Sequence, residues 1–184
     1  MEQALVFASI VLGVAVAFAL ENLNRVLRSR KVRWHWAQPI FALFVLFSIV
    51  SYWWGIAKGG NDEAITLAQF LPVMFALVLL VLLAAVSLPD SVEPDGVDLA
   101  AYYQSNRKYQ WGLMALFMWS IHLTYVINVL HRDLPWQQVF LALAPDTLVG
   151  MLIVAMMFIR RWWLVGLGLT ILCLGPIAWL SRTL

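Results

Sequence analysis

Asp146 is the one charged side chain set deep inside an apolar run, Val139–Ile159, where it follows Pro145. A carboxylate can hold a cation or pass a proton. Near the centre of a bilayer its ionised form costs about 2.5–3.5 kcal/mol on insertion scales, so it should face other helices and have a partner. Pro145 lacks a backbone N–H and crowds the carbonyl four residues before it, which loosens the helix beside the acid. Freed carbonyls next to a carboxylate suit a cation or proton site. His122 is the expected partner. It lies about eight residues below the outer end of the preceding span, and Asp146 about seven residues, or 10–12 Å, below the outer start of its own. Consecutive antiparallel helices usually pack together. A carboxylate raises the pKa of a neighbouring imidazole while dry burial lowers it, so such a pair can exchange protons near neutral pH. Ser48, Ser51, Tyr52, Gln69, Thr124, Tyr125, Asn128 and Thr147 occupy the same outer half. Together they predict a water-accessible cavity opening outward. The competing reading is a His122–Asp146 hydrogen bond that fixes two helices, with the hydroxyls bonded to backbone.

A second polar group gathers at the inner end: Glu21, Asn22, Asn24, Arg25, Arg28, His35 and Gln38, followed by Pro39. Arginine forks match phosphate geometry, which suits a headgroup or an acidic substrate. A solvated helix end is the alternative. Helix one also carries Ser9, Gly13 and Ala17 at steps of four, the small-residue pattern that lets helix backbones approach. The same step leads on to Glu21 and Arg25, a favourable pair in that order. This face reads either as internal bundle packing or as a subunit interface.

The elements that carry these residues follow from composition. Of 184 residues 63% are apolar, and only 22 (12 Lys+Arg and 10 Asp+Glu) are charged, too few to cover a soluble fold. The single cysteine, Cys173, excludes an intramolecular disulfide. Charge-free stretches run Gln3–Leu20, Trp34–Ala57, Ala64–Pro89, Tyr109–His131 and Trp162–Ser181. About 20 helical residues cross the hydrocarbon layer. With Val139–Ile159, the sequence predicts an all-α polytopic bundle of six transmembrane helices forming one domain, over roughly 4–28, 34–57, 65–88, 109–131, 138–159 and 162–181. Continuous apolar runs without a period of two exclude a transmembrane barrel. Trp34, His35, Trp36, Trp53 and Trp54 bracket helix two as an aromatic belt.

Nine of the twelve basic residues (Arg25, Arg28, Arg30, Lys31, Arg33, Arg107, Lys108, Arg160 and Arg161) fall in three connections on one side. The positive-inside rule then puts both termini outside, in the periplasm of a bacterium. Met1-Glu2-Gln3 has no basic n-region, so the first span reads as a retained anchor. The pI near 8.9 comes mostly from the inner loops and points to anionic lipid rather than nucleic acid. In the connection Asp90–Lys108, the acids Asp90, Glu93, Asp95 and Asp98 lack the ligand order of a calcium loop and read as a solvated turn. From Leu99 onward, with Asp98 as N-cap and Tyr102, Tyr103, Tyr109 and Trp111 at headgroup level, a short interfacial helix should bend into helix four.

Several chemistries are set aside. There is no mid-span lysine for a retinal Schiff base, no cysteine pair, no second histidine at the depth of His122 for haem, no HExxH and no phosphate-binding glycine loop. No metal and no cofactor is predicted. Gly166, Gly168 and Gly175-Pro176 read as close packing and a kink in helix six.

The segments Val32-Arg33-Trp34-His35-Trp36-Ala37-Gln38, Ser87-Leu88-Pro89-Asp90, Asp98-Leu99-Ala100-Ala101-Tyr102-Tyr103 and Asn106-Arg107-Lys108 resemble short, uncharacterised bacterial six-helix inner-membrane proteins over most of the chain. That resemblance implies source and topology and carries no assigned activity. The Phe-Ser-Asp signature of lysosomal six-helix potassium channels is absent from Phe7-Ala8-Ser9-Ile10.

The sequence therefore predicts a small transporter or channel for protons, cations or a small solute, built on Asp146 and His122 and working as a homo-oligomer. A non-catalytic membrane subunit of a larger complex is the alternative. A lipid- or quinone-handling enzyme is a further one, for which no nucleophile–base arrangement is visible.

Overall fold

The computed structural model describes residues 2–29, 31–58, 66–91, 96–132 and 134–179, with side chains from 5 to 175 within those segments. Arg30, Glu93, Asp95 and Arg182, which figured in the reading of the loops, lie outside them. The described chain is helical apart from a two-residue ladder: α1 (Glu2–Arg28), β1 (Val32–Arg33), α2 (Ala37–Lys58), α3 (Leu67–Val86), β2 (Val97–Asp98), α4 (Leu99–Leu130), α5 (Trp136–Met156) and α6 (Trp162–Trp179). Helices α1 to α5 are each long and apolar enough to cross a membrane. The last, α6, is apolar but shorter, so five spans rather than six meet that test by length.

Burial on α1 follows Ala8, Leu12, Ala15, Ala19, Asn22 and Val26, steps of four and three that draw one seam down the helix. Three alanines in that seam bring its backbone close to α3, its main neighbour. Helix α3 is framed by a capping box. The Thr66 hydroxyl accepts from the Gln69 N–H at 3.3 Å, and Gln69 Oε1 accepts from the Thr66 N–H at 2.9 Å. Leu77, Leu80 and Leu83 fill the centre of the bundle.

Residues 99–108 do not form a separate interfacial helix. With no proline or glycine before Gly112 to interrupt it, α4 runs unbroken for 32 residues. That is about 48 Å, well beyond the roughly 30 Å of a hydrocarbon core, so the interfacial segment is an extension of the span itself. Its expected start is observed: Asp98 Oδ1 accepts from the N–H groups of Ala100 and Ala101 at 2.9 and 3.1 Å.

One end of the bundle is tied together. Strands β1 and β2 pair in parallel, with Val32 opposite Val97 and Arg33 opposite Asp98, and Arg33 Nη1 lies 4.0 Å from Asp98 Oδ2. Gly96 leads into β2 at φ 103°, and a Cβ there would run into the Lys31 carbonyl. The α1–α2 and α3–α4 connections are thereby clasped. Gln104 and Arg107 of α4 hydrogen-bond the carbonyls of Arg160 and Met157, which brings the α5–α6 turn to the same end. At the opposite end, Trp53 donates to Ser9 Oγ at 3.0 Å and Phe7 meets Phe70 edge-on at 5.8 Å.

Candidate functional site

Helix α5 begins two residues before the predicted span 138–159 and ends three residues short of it, so Asp146 is the eleventh of its 21 residues. It sits about 15 Å from either end, at mid-helix rather than in the outer third. The helix passes through Pro145 without ending. Val139, Gly150 and Ile153 mark the packed face of α5 and are buried. Asp146 falls seven, four and seven residues from them, within about 40° of each around the helix axis. It is nevertheless exposed. The chain itself therefore leaves the carboxylate uncovered, and among the described residues no ion pair or hydrogen bond engages it.

His122 is not its partner. The imidazole Nε2 instead lies 3.0 Å from Thr147 Oγ1, and the Thr147 hydroxyl donates to the Leu143 carbonyl at 2.8 Å. Successive helical residues point about 100° apart, so the neighbour of Asp146, and not Asp146 itself, meets α4. The other ring nitrogen, Nδ1, is buried and has no hydrogen-bond partner among the described residues. The ring of Trp119 packs edge-on against His122 at 5.5 Å and fills the space where a Cβ on Gly150 would stand.

The other expected lining residues divide. Ser48 and Thr124 turn their hydroxyls back to the carbonyls of Phe44 and Ser120 at 2.9 and 3.2 Å, as bundle packing alone would require. Tyr52 is half-buried with its ring T-shaped on Phe117 at 5.6 Å. Ser51 and Tyr125 are half-buried and Asn128 is exposed. Gln69 is spent on the α3 cap and lines nothing. Below the level of Asp146 the interior is closed by aromatic packing. Trp111 is fully buried, 5.0 Å from Phe41 and 6.4 Å from Phe44, with its Nε1–H satisfied by Tyr103 Oη at 2.9 Å.

The inner cluster separates in the same way. Asn24 and Arg28 are exposed. Glu21 and Arg25 form a surface ion pair at 2.5 Å, and Arg25 also donates to the Asp90 carbonyl. His35 Nδ1 accepts from the Ala37 N–H at 3.4 Å and its ring stacks 4.0 Å from Trp162. Asn22 and Gln38 are buried and do one job with three residues not anticipated: Tyr102, Gln110 and Ser87. The last carbonyls of a helix have no partner within it. Here Ala85 O accepts from Asn22 at 3.0 Å, Val86 O from Gln110 at 2.9 Å and Tyr102 at 3.1 Å, and Ser87 O from Gln38 at 2.5 Å. Ser87 itself donates to Ala84 O at 2.8 Å. Three helices thus cap the end of a fourth. The signal lay in the sequence as Gln110, an amide on the apolar part of α4, and Tyr102 about two turns before it.

The face Ser9–Gly13–Ala17 divides: Ser9 is half-buried and accepts from Trp53 of α2, while the other two positions are uncovered. Gly13 and Ala17 are exposed, and a Cβ on Gly13 would meet nothing within 4 Å. The buried seam of α1 runs one residue earlier, through Ala8 and Leu12. Among the described residues no group of His, Cys, Asp and Glu could hold a metal ion. No protein-family profile, curated protein or solved structure matches the chain.

Proposed function

We propose that this chain is a small integral membrane transporter or channel for protons, cations or a small solute, with Asp146 as the binding or coupling carboxylate. The observation that carries the reading is the exposure of Asp146 at mid-helix on the otherwise packed face of α5. A charge at that depth is retained against a cost of about 2.5–3.5 kcal/mol, and no described group neutralises it. A carboxylate left uncovered and unpaired by its own chain is free to take a cation or a proton. His122 and Thr147 set the wall beside it rather than sharing its proton. The aromatic layer around Trp111 is in this reading the inner barrier, and Asp146 is reached from the opposite side. In this reading α6 completes six spans, the clasped basic end faces the cytoplasm and its anionic lipids, and both termini lie in the periplasm of a bacterial inner membrane.

A second reading is a non-catalytic subunit of a larger membrane complex. The exposed Gly13 and Ala17 on α1 favour it, because small residues at steps of four suit contact with another helix. Reconstitution into liposomes separates the two. Wild type should dissipate an imposed pH or cation gradient, and Asp146→Asn, which keeps shape and loses charge, should lower that flux at least about tenfold, the equivalent of 1.4 kcal/mol. Equal flux in the two proteins removes the role of Asp146. No flux in either, together with a stoichiometric unrelated partner in mild detergent, establishes the subunit reading.

A further inference from the structure

The buried guanidinium of Arg107 carries more hydrogen-bonding capacity than the chain uses. Arg107 is only 4% exposed, at the clasped end of the bundle under the α5–α6 turn. Its Nε donates to the Met157 carbonyl at 2.8 Å and its Nη1 to Gln104 Oε1 at 2.5 Å. A guanidinium has five N–H groups, so three remain, two of them on Nη2. They are not sealed in. The buried side-chain atoms left without partners among the described residues are Gln38 Oε1, Gln110 Oε1 and His122 Nδ1, none of them from Arg107. Nη2 is therefore not fully covered, although Arg107 as a whole is only 4% exposed.

No described carboxylate answers it. Glu21 is taken by Arg25, Asp98 by the α4 N-cap and Arg33, and Asp90 lies beside Ser91. The exposed residues on the adjoining backbone are instead Lys108, next in sequence, and Arg160 and Arg161 of the α5–α6 turn that Gln104 and Arg107 hydrogen-bond, all of the same sign. The partial negative charge at the end of α5 offsets part of the burden on Arg107 and gives Nη2 no acceptor. A largely buried cation with two donors left without a partner among the described residues, on a basic stretch of chain, matches one chemistry, a tetrahedral oxyanion gripped by charge-assisted hydrogen bonds. We propose that Arg107 Nη2, rimmed by Arg160 and Arg161, is a phosphate-binding site that takes an anionic lipid headgroup or free phosphate. This site is independent of Asp146 and of any transport through it.

The test is thermal unfolding of the purified full chain in phosphatidylcholine micelles with three additions: phosphatidylglycerol, inorganic phosphate, or more phosphatidylcholine. Phosphatidylglycerol or phosphate should raise the Tm where phosphatidylcholine does not. A response to phosphatidylglycerol alone identifies a headgroup site, and a response to inorganic phosphate a site for the free ion. Arg107→Gln should abolish the shift. The double variant Arg160→Gln/Arg161→Gln, which leaves the backbone caps in place, should weaken the apparent affinity about tenfold for charge-assisted contacts of this kind. If Arg107→Gln does not fold, the double variant decides alone. The proposal is overturned if wild type shows no specific shift, or if the double variant keeps the full wild-type affinity.

Discussion

Asp146 and Thr147 divide two directions between them. One turns toward α4 and engages His122; the other stays on the face of α5 that packs at Val139 and Gly150 yet is exposed. Sequence reading located the single mid-span acid and the histidine at matching depth, since both are matters of counting along the chain. It could not supply the azimuth of each residue, and a rotation of about 100° exchanged Asp146 for Thr147 as the partner. The consequence can be measured. Thr147→Val keeps the volume but removes the oxygen that hydrogen-bonds His122 Nε2, leaving a part-buried ring nitrogen unpaired, which costs about 1–3 kcal/mol. The variant should melt at a lower temperature in detergent while retaining liposome flux, because the proposed carboxylate is untouched. Loss of flux with unchanged stability would instead assign the functional proton to the His122–Thr147 pair.

At the scale of the element, the end of α3 shows how a membrane helix is closed without water. Carbonyls of Ala85, Val86, Ser87 and Leu88 would each lack a partner in hydrocarbon, and side chains from α1, α2 and α4 supply the donors. Asn22 and Gln38 were visible in the sequence as an inner polar cluster, but together with Glu21, Asn24 and Arg28. Polarity alone does not separate a buried cap from a solvated helix end. What separates them is position: Asn22 belongs to the seam Ala15–Ala19–Asn22–Val26, and Asn24 does not. Helix existence was legible from the apolar runs and Asp98 from its capping chemistry. The continuity of α4 was not, because tyrosines at headgroup level suit an extended span as well as a bent one. Asn22→Leu should preserve the volume of the seam and remove the amide that serves Ala85 O. The expected loss is about 1–3 kcal/mol, read as a lower Tm. Asn24→Leu, on the exposed side of the same turn, should leave Tm unchanged. Equal effects from the two substitutions would mean that the α3 cap contributes nothing measurable.

For the whole molecule, the question is what lies against its sides. The exposed faces of α1 to α5 carry Ile10, Val14, Leu43, Val50, Leu71, Val78, Leu116, Leu123, Phe140 and Leu148, the surface of a chain whose solvent is lipid. Charge scarcity announced that much from composition. Composition does not distinguish lipid from a second protein as the neighbour, because both accept an apolar face. Small residues do bear on it. Lipid chains gain nothing from a shallow groove, whereas a helix gains van der Waals contact from closer approach of its backbone. Gly13 lies between Ser9 and Ala17 on such a groove, with nothing of its own protomer within 4 Å of a Cβ. Gly13→Leu should therefore leave the protomer intact, its Tm unchanged or slightly raised by replacing a helix-interior glycine. If copies of the chain meet along α1, the same substitution should convert the oligomer to monomer, measured by light scattering of the protein–detergent complex. An unchanged oligomer mass would move the interface off this face of α1, and a wild type that is already monomeric would leave the groove to another protein. The protomer's own stability, measured alongside, keeps either result from being mistaken for misfolding.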